Sequence, residues 1–307
     1  MASTSSILQQ LEKFQNHPDS PVIDVRNSEE YAVGHYAGAA QFCAEQILYN
    51  LHRLPQKTQP IRLSGCKRTL DTARKKLEVK GFKIVACLQW CPQTASELNR
   101  QGLLEKGFDS RVLWLAAPVV RRFIEQFSST EVVGNALDLA CGAGRDSVYL
   151  ALNGWQVLAV DYLPGALEKV ERLAQQHQVN VTTCQTDLET LPESLLVNQL
   201  SAQNCPNQPA SAQRTTVFNL VLVVRYLHRP LFPLIKQKVN PGGFLVYQTF
   251  LKGCEAFGSP KNPNYLLEPG ELAREFADFD ILVDEIEYLA DGRPTNVFIA
   301  QKPKRHA

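Results

Sequence analysis

Two patterns of hydrophobic and polar positions alternate along the chain. Short runs rich in Val, Ile and Leu have the length of strands, and the segments between them carry apolar residues at helical spacing. This alternation is typical of βαβ units, in which helices cover the faces of a parallel sheet. The sequence therefore predicts an α/β protein built on parallel strands.

The predicted strands fall into two sets, which indicate two domains, 1–108 and 109–307. A polar stretch at 100–115 without a strand pattern separates the sets, and a second stretch at 198–216 has the composition of a mobile surface insertion. Helices are expected at 69–81, 145–153, 165–177 and 269–277. The strands are expected at 21–25, 41–44, 61–63, 83–88, 135–140, 156–161, 179–187, 217–224, 242–250, 280–289 and 296–303.

Composition and charge narrow the function classes. Of 307 residues, 44% are hydrophobic and 21% charged, as in ordinary globular proteins, and the net charge of +1 implies no general attraction to nucleic acid or membrane. The first twenty residues do not have the pattern of a secretory signal, and no apolar run is long enough to span a bilayer. Eight scattered cysteines without metal-ligand spacing predict reduced thiols, no metal site and a cytoplasmic protein.

The stretch ALDLACGAGRDSVYLALNGWQVLAVD, at 136–161, carries the most specific chemistry. Gly142 and Gly144 allow a sharp turn and a close backbone approach to a ligand, and the helix that follows presents free N–H groups. Asp161 ends the next strand, where an acid can accept hydrogen bonds from ribose hydroxyls. The pattern therefore predicts a ligand with a ribose and an anionic end.

The acids around this turn favour S-adenosylmethionine over a dinucleotide. A dinucleotide site would have a third glycine where Ser147 stands. Asp138 is expected to face the ammonium of the methyl donor, and Asp187 to accept from its adenine amino group. The predicted cofactor-binding residues are Asp138, Gly142, Gly144, Arg145, Asp161, Tyr162, Asp187 and Leu188.

At these residues the chain resembles the class I methyltransferases. The pattern D-x-x-C-G-x-G, a helix, an apolar strand and Asp is similar to their first two motifs, and the turn Pro241-Gly242-Gly243 is similar to a later one. The stretches at 141–161 and 260–272 resemble the tellurite-resistance (TehB-like) branch, which methylates small chalcogen or thiol acceptors. The resemblance implies a Rossmann-like, seven-stranded domain that transfers a methyl group by in-line displacement.

Candidate acceptor-side residues follow the strand at 217–224. They are Arg225, Tyr226, His228 and Arg229, and the two arginines suggest an acceptor that is anionic or carries a carboxylate. The alternative is structural: Arg229 would start a helix and His228 would pack. The proline-rich stretch 257–272 is interpreted either as a lid or as a rigid connection.

The first half resembles a rhodanese-like, sulfur-carrier domain. The stretch 21–42 has the pattern D-x-R-x-x-x-E-Y-x-x-G-H-x-x-G-A, in which Asp24 and Arg26 can form an ion pair. A working member has a cysteine directly after the strand, whereas Cys66 lies two or three residues beyond the predicted strand 61–63. Two interpretations stay open: a shifted but reactive Cys66, or an inactive module that docks a protein partner or delivers the acceptor.

Three functions from different classes are consistent with these motifs. The leading hypothesis is a methyltransferase for a small-molecule acceptor, with a rhodanese-like module that does not take part in catalysis. An RNA methyltransferase is disfavoured by the near-neutral charge and the absence of an aromatic and basic platform. A cofactor-binding scaffold is disfavoured by the completeness of the donor motif.

Overall fold

The computed structural model describes residues 4–128, 133–190 and 217–304. The chain divides into two compact units, Met1–Leu115 and Ala116–Ala307. The division falls after Leu115 rather than after residue 108, because residues beyond 108 still bond within the first unit: the carbonyl of Asp109 accepts from the Tyr31 hydroxyl, and the amide of Arg111 donates to Ala39 O. The stretch at 198–216 lies outside the described residues.

The first unit is built on a four-stranded parallel sheet in the order β3-β1-β4-β5, and β2 pairs with β6 separately. Its strands are β1 (Val22–Asp24), β2 (His35–Tyr36), β3 (Ala40–Gln41), β4 (Ile61–Gly65), β5 (Ile84–Gln89) and β6 (Leu104–Glu105). Its helices are α1 (Thr4–Gln15), α2 (Ser28–Val33), α3 (Lys67–Val79) and α4 (Pro92–Arg100).

The predicted ion pair of the first unit is present. The Nη2 group of Arg26 donates to Asp24 Oδ2 at 2.7 Å and to the carbonyl of Gly34 at 2.7 Å, and both charged side chains are buried. A buried guanidinium with several acceptors fixes its surroundings, because each lost bond would leave a desolvated charge. The pair therefore joins the end of β1 to the segment that follows α2.

The second unit contains one mixed sheet of the strands described there, in the order β12-β13-β11-β10-β7-β8-β9. Its strands are β7 (Asn135–Leu139), β8 (Gln156–Asp161), β9 (Val181–Gln185), β10 (Phe218–Val224), β11 (Val239–Phe250), β12 (Asp280–Tyr288) and β13 (Pro294–Gln301). Its helices are α5 (Pro118–Phe127), α6 (Arg145–Leu152), α7 (Pro164–Gln176), α8 (Phe232–Lys238) and α9 (Glu271–Glu275).

Helices cover both faces of this sheet. One apolar cluster includes Phe232 of α8 and Phe276 just after α9, and the other includes Phe123 of α5 and Trp155. The strands β9, β8, β7, β10 and β11 run parallel, while β13 is antiparallel to its neighbours. The chain order reverses between β7 and β10, and the carboxyl ends of strands beside such a point open a crevice.

Among the described residues, no helix combines the length and the apolar character that crossing a membrane requires.

Candidate active site

The glycine turn joins β7 to α6 at the carboxyl edge of the sheet. Ala140, Gly142 and Gly144 all adopt the left-handed backbone region, with φ of 56°, 57° and 75°. The amide of Cys141 donates to Val160 O on β8 at 2.9 Å, so the turn is fastened to the neighbouring strand. The turn thus places α6 and its free N–H groups at the crevice, as the sequence predicts.

The two glycines have different surroundings. A Cβ on Gly144 would lie 2.6 Å from Cγ2 of Val170, so this glycine lets the turn pack on α7. A Cβ on Gly142 would have no atom within 4 Å. Gly142 therefore leaves open space beside the backbone, where a ligand can approach.

Asp161 joins the ends of two strands. Its Oδ2 accepts from the amide of Gly142 at 2.9 Å, and its Oδ1 accepts from the amide of Leu163 at 3.0 Å. The residue is 7% exposed, and a carboxylate with two such bonds can still accept others. Asp161 can therefore hold the turn and accept from ribose hydroxyls at the same time.

Asp138 lies beneath the turn and is 2% exposed. It accepts a hydrogen bond of 2.5 Å from the hydroxyl of Ser147 on α6. Burial first, and then the negative charge of Asp146, raise the pKa of Asp138 to about 8, although the bond from Ser147 opposes the shift. The free protein therefore holds this acid mainly protonated at neutral pH.

Asp146 is more than a first-turn acid of α6. Its Oδ1 accepts from the amide of Ala117, just before α5, at 2.6 Å. Burial raises the pKa of Asp146, while that hydrogen bond and nearby arginines lower it in part. Its carboxyl group therefore fastens the start of α5 to the glycine turn.

A cavity of about 320 Å³ opens beside Asp161. Its volume is in the range of small-molecule sites. Hydrogen bonds from residues 189 and 190 lower the pKa of Asp187, so its carboxylate is ionised there. Of the predicted site residues, the cavity brings together Asp161, Tyr162, Asp187, Leu188 and Tyr226.

A second cavity of about 330 Å³ adjoins the first, because Glu189 and Tyr265 line both. Two predicted acceptor-side residues, His228 and Arg229, line this second cavity. The structure thus divides the predicted residues between two neighbouring chambers, which we call the donor chamber and the acceptor chamber.

The charge of Arg229 is already neutralised, which contradicts its predicted role in holding an anion. Its Nε donates to Glu271 Oε1 at 2.5 Å and its Nη2 to Glu271 Oε2 at 2.9 Å. The guanidinium also donates to the carbonyls of Asn264 and Leu266. Arg229 is therefore a positioning residue that fastens the proline-rich segment to the end of β10.

Arg225 does not join Arg229 in the acceptor chamber, where the two arginines were expected to hold an anionic acceptor together. Its backbone has φ of 59°, and its amide donates to Gln248 O at 2.7 Å. Burial first, and then the charge of Arg145, lower the pKa of Arg225, while Asp146 raises it. Arg225 and Arg145 thus lie near each other, and neither lines the donor or the acceptor chamber.

Sequence reasoning missed Glu189 as a site residue. It follows Asp187 by two positions, and its amide donates to Asp187 Oδ1 at 2.9 Å. A further charged side chain at the same strand end was the available signal. Tyr265, which also lines both chambers, belongs to the proline-rich stretch 257–272.

The segment around Tyr265 is attached to the sheet. The amide of Leu267 donates to Phe250 O at 2.8 Å, and the amide of Lys252 donates to Leu267 O at 3.0 Å. These bonds support the interpretation as a rigid connection over that of a lid.

Comparison with known proteins agrees with this geometry. Residues 136–233 match a family model described as a methyltransferase domain. A ubiquinone biosynthesis O-methyltransferase of Rickettsia akari is 23% identical and aligns over 61% of this chain and 73% of its own length. An uncharacterised protein of Schizosaccharomyces pombe is 24% identical over 91% of this chain and 93% of its own length.

Among solved structures, part of the chain aligns with TehB from Haemophilus influenzae, at 16% identity and a TM-score of 0.43, covering 65% of this chain and 73% of that one. The N-methyltransferase NodS from Bradyrhizobium japonicum has 16% identity and a TM-score of 0.41, covering 61% of this chain and 93% of that one.

The chain is an S-adenosylmethionine-dependent methyltransferase, and S-adenosylmethionine is its cofactor. The donor chamber fits that molecule, because its wall offers the carboxylates of Asp161 and Asp187 for a ribose and an adenine amine. Asp138 lies below this chamber rather than in its wall, so its contact with the donor ammonium stays a prediction.

The two glycines should respond differently to alanine. G144A should lower the free energy of unfolding by about 3 kcal/mol, because left-handed strain adds to the clash with Val170. G142A should cost about 1 kcal/mol, from left-handed strain alone, yet weaken donor binding at least tenfold. Urea unfolding and calorimetric titration with the donor measure both; equal losses of stability would contradict the packing difference.

The buried acid should make stability depend on pH. Since the pKa of Asp138 is raised to about 8, the folded state keeps a proton that the unfolded state releases above pH 4. The protonated Asp138 therefore makes its full contribution to folding stability below pH 4, and this contribution is lost as the pH rises toward 8. D138N should be more stable than the parent at pH 8 by a few degrees in Tm, with a smaller difference at pH 5.

The exposed Asp280 on β12 offers a control for this experiment, since D280N changes the same charge outside the site. A D138N curve parallel to that of the parent across this range would contradict a buried, protonated acid.

Proposed function

We propose that this S-adenosylmethionine-dependent methyltransferase transfers its methyl group to a small molecule, with a thiol or chalcogen atom as the nucleophile. One observation carries the proposal: side chains from three strand ends, Asp161, Asp187 and Tyr226, line one chamber, and that chamber adjoins a second one of similar size. The motif resemblance to the TehB-like branch supports the class of acceptor.

Each group of the donor has a candidate partner. Asp161 accepts from the ribose hydroxyls and Asp187 from the adenine amino group, while Tyr162 and Leu188 form the walls. Gly142 leaves room for the amino-acid end. Asp138 and Arg145 are further candidates for that end, one beneath the turn and one at the start of α6.

The protein's contribution to the reaction is mainly positioning. The donor supplies a methyl group already activated on a sulfonium, and a thiol of ordinary pKa is partly ionised near neutral pH. Tyr226 lines the donor chamber and His228 lines the acceptor chamber, which supports a role for both in orienting the acceptor. No strong general base is required for such a nucleophile.

The N-terminal unit is proposed to be a rhodanese-like module. Its parallel sheet and the Asp24–Arg26 pair support that resemblance. The prediction that Cys66 lies beyond the strand end is wrong, because β4 extends to Gly65 and Cys66 follows it directly as the N-cap of α3. This position supports the interpretation of Cys66 as the cysteine that a working rhodanese-like module requires.

The surroundings of Cys66 favour a reactive thiol. Burial acts to raise its pKa, but hydrogen bonds from the Thr69 hydroxyl and from the amides of Thr69 and Arg68 outweigh it, so the pKa is lowered. The distance between Cys66 Sγ and Thr69 Oγ1 is 3.4 Å. We assign this thiol a role separate from methyl transfer; a protein partner for the module and a cytoplasmic location also stay predictions.

The ribose assignment can be tested by D161A. Loss of hydrogen bonds to a charged acceptor should weaken binding about a hundredfold. The loss should be similar for S-adenosylmethionine, S-adenosylhomocysteine and adenosine, because all three carry the ribose. Calorimetric titration measures the three affinities.

The control for D161A is E168A, which removes an exposed acid from α7 and should bind all three ligands like the parent. Undiminished binding by folded D161A would disprove the ribose contact. Failure of the parent protein to bind the donor would disprove the proposed function itself.

The separate role of Cys66 predicts that C66S keeps methyl transfer within a few-fold of the parent. The same variant should lose the thiol that iodoacetamide alkylates fastest below pH 8, whereas C91S, which changes the cap of α4, should retain it. Mass spectrometry of alkylated peptides and a radiolabelled methyl-transfer assay measure the two properties. A loss of methyl transfer by orders of magnitude in C66S would instead make the N-terminal unit part of catalysis.

A further inference from the structure

The acceptor chamber has a charge that the sequence does not predict. Its arginine, Arg229, is paired with Glu271, whose side chain is 11% exposed, and the two charges cancel. Four hydrogen bonds occupy the guanidinium, two to Glu271 and two to backbone carbonyls. Arg229 therefore has little capacity left to bind an anionic substrate.

Arg225, the other arginine that follows β10, adds no positive charge to the lining of the acceptor chamber. The charges that act on Arg225 are those of Arg145, Arg293, Asp146 and Asp291. Neither Arg225 nor Arg145 lines the acceptor chamber. The anion-binding pair expected from the sequence is thus absent from the described lining of this chamber.

Glu189 supplies the uncompensated charge. It lines both chambers, and among the described residues no ion pair is formed with its carboxylate. Burial first, and then the charge of Glu189, raise the pKa of the Tyr226 hydroxyl, so the carboxylate lies near Tyr226 in the wall of the donor chamber. The other groups that face it are Asp187, which is assigned to the adenine, and His228.

A carboxylate at this boundary has opposite effects on acceptors of opposite charge. It attracts an ammonium group that enters the acceptor chamber, and it repels a carboxylate that enters the same space. Because Glu189 is exposed to solvent, screening limits each effect to a few-fold. The net preference between the two acceptors should therefore be about tenfold.

We propose that the acceptor is a small thiol that carries a positive charge close to its sulfur, and that Glu189 selects it. The inference rests on the proposed function, since it assumes methyl transfer to sulfur from the donor chamber. The thiolate sulfur forms a bond to the methyl carbon while the carbon–sulfonium bond breaks. The products are a thioether and S-adenosylhomocysteine, and the thiol proton goes to solvent.

Three thiols of similar size test this selection: cysteamine, 2-mercaptoethanol and 3-mercaptopropionate, which are cationic, neutral and anionic. Their thiol pKa values also differ, so their reactivities alone do not decide the question. The deciding quantity is the ratio of kcat/KM for cysteamine to that for 3-mercaptopropionate, compared between the parent and E189Q at saturating donor. We expect E189Q to lower this ratio about tenfold, with 2-mercaptoethanol changed little.

The matched control is E125Q, which removes one exposed acid from α5 and should keep the parent's ratio. Donor affinity is measured by calorimetry on the same samples. Thiol methylation with an equal ratio in the parent and E189Q would overturn the role of Glu189 and leave the proposed function standing. Donor binding without methylation of any of the three thiols would overturn both.

Discussion

The carboxylate of Asp161 is the interaction on which the donor chamber depends. It accepts from the amide of Gly142 in the glycine turn and from the amide of Leu163 before α7. The carbonyl of the same residue accepts from the amide of Thr186 at 3.0 Å, just after β9. One residue therefore holds the ends of three neighbouring strands together, and the chamber opens where they meet.

A second link shapes the acceptor chamber. The bidentate pair of Arg229 and Glu271 joins the chain after β10 to the first residue of α9, and Arg229 also donates to two backbone carbonyls in the segment before that helix. The side chains of Arg229 and Glu271 are 38% and 11% exposed, and their opposite charges sum to zero. The pair therefore acts as a positional restraint. The same contact thus explains why the chamber is well formed and why its charge is set by Glu189.

Much of the architecture followed from hydrophobic periodicity, because strands buried on both faces are nearly continuous apolar runs. That Asp161 and Asp187 lie beside one cavity could be predicted, since parallel strand ends meet at one edge. The partner of Arg229 could not, because Glu271 lies 42 positions away and only tertiary packing brings it there. The end of β4 was misplaced because Ser64 and Gly65 do not have the composition of a strand, yet pairing with Leu88 and Gln89 extends it.

Asp138 shows how stability and function conflict at this site. A buried acid whose pKa is raised by burial and by neighbouring acids is destabilising when ionised, and an asparagine would bond to Ser147 without that cost. Groups of this kind are common where a ligand supplies the missing charge. A donor with an ammonium would stabilise the ionised carboxylate once bound. The predicted contact with the donor ammonium would offset this cost in the complex, which is a reason for an acid to be buried beneath the glycine turn.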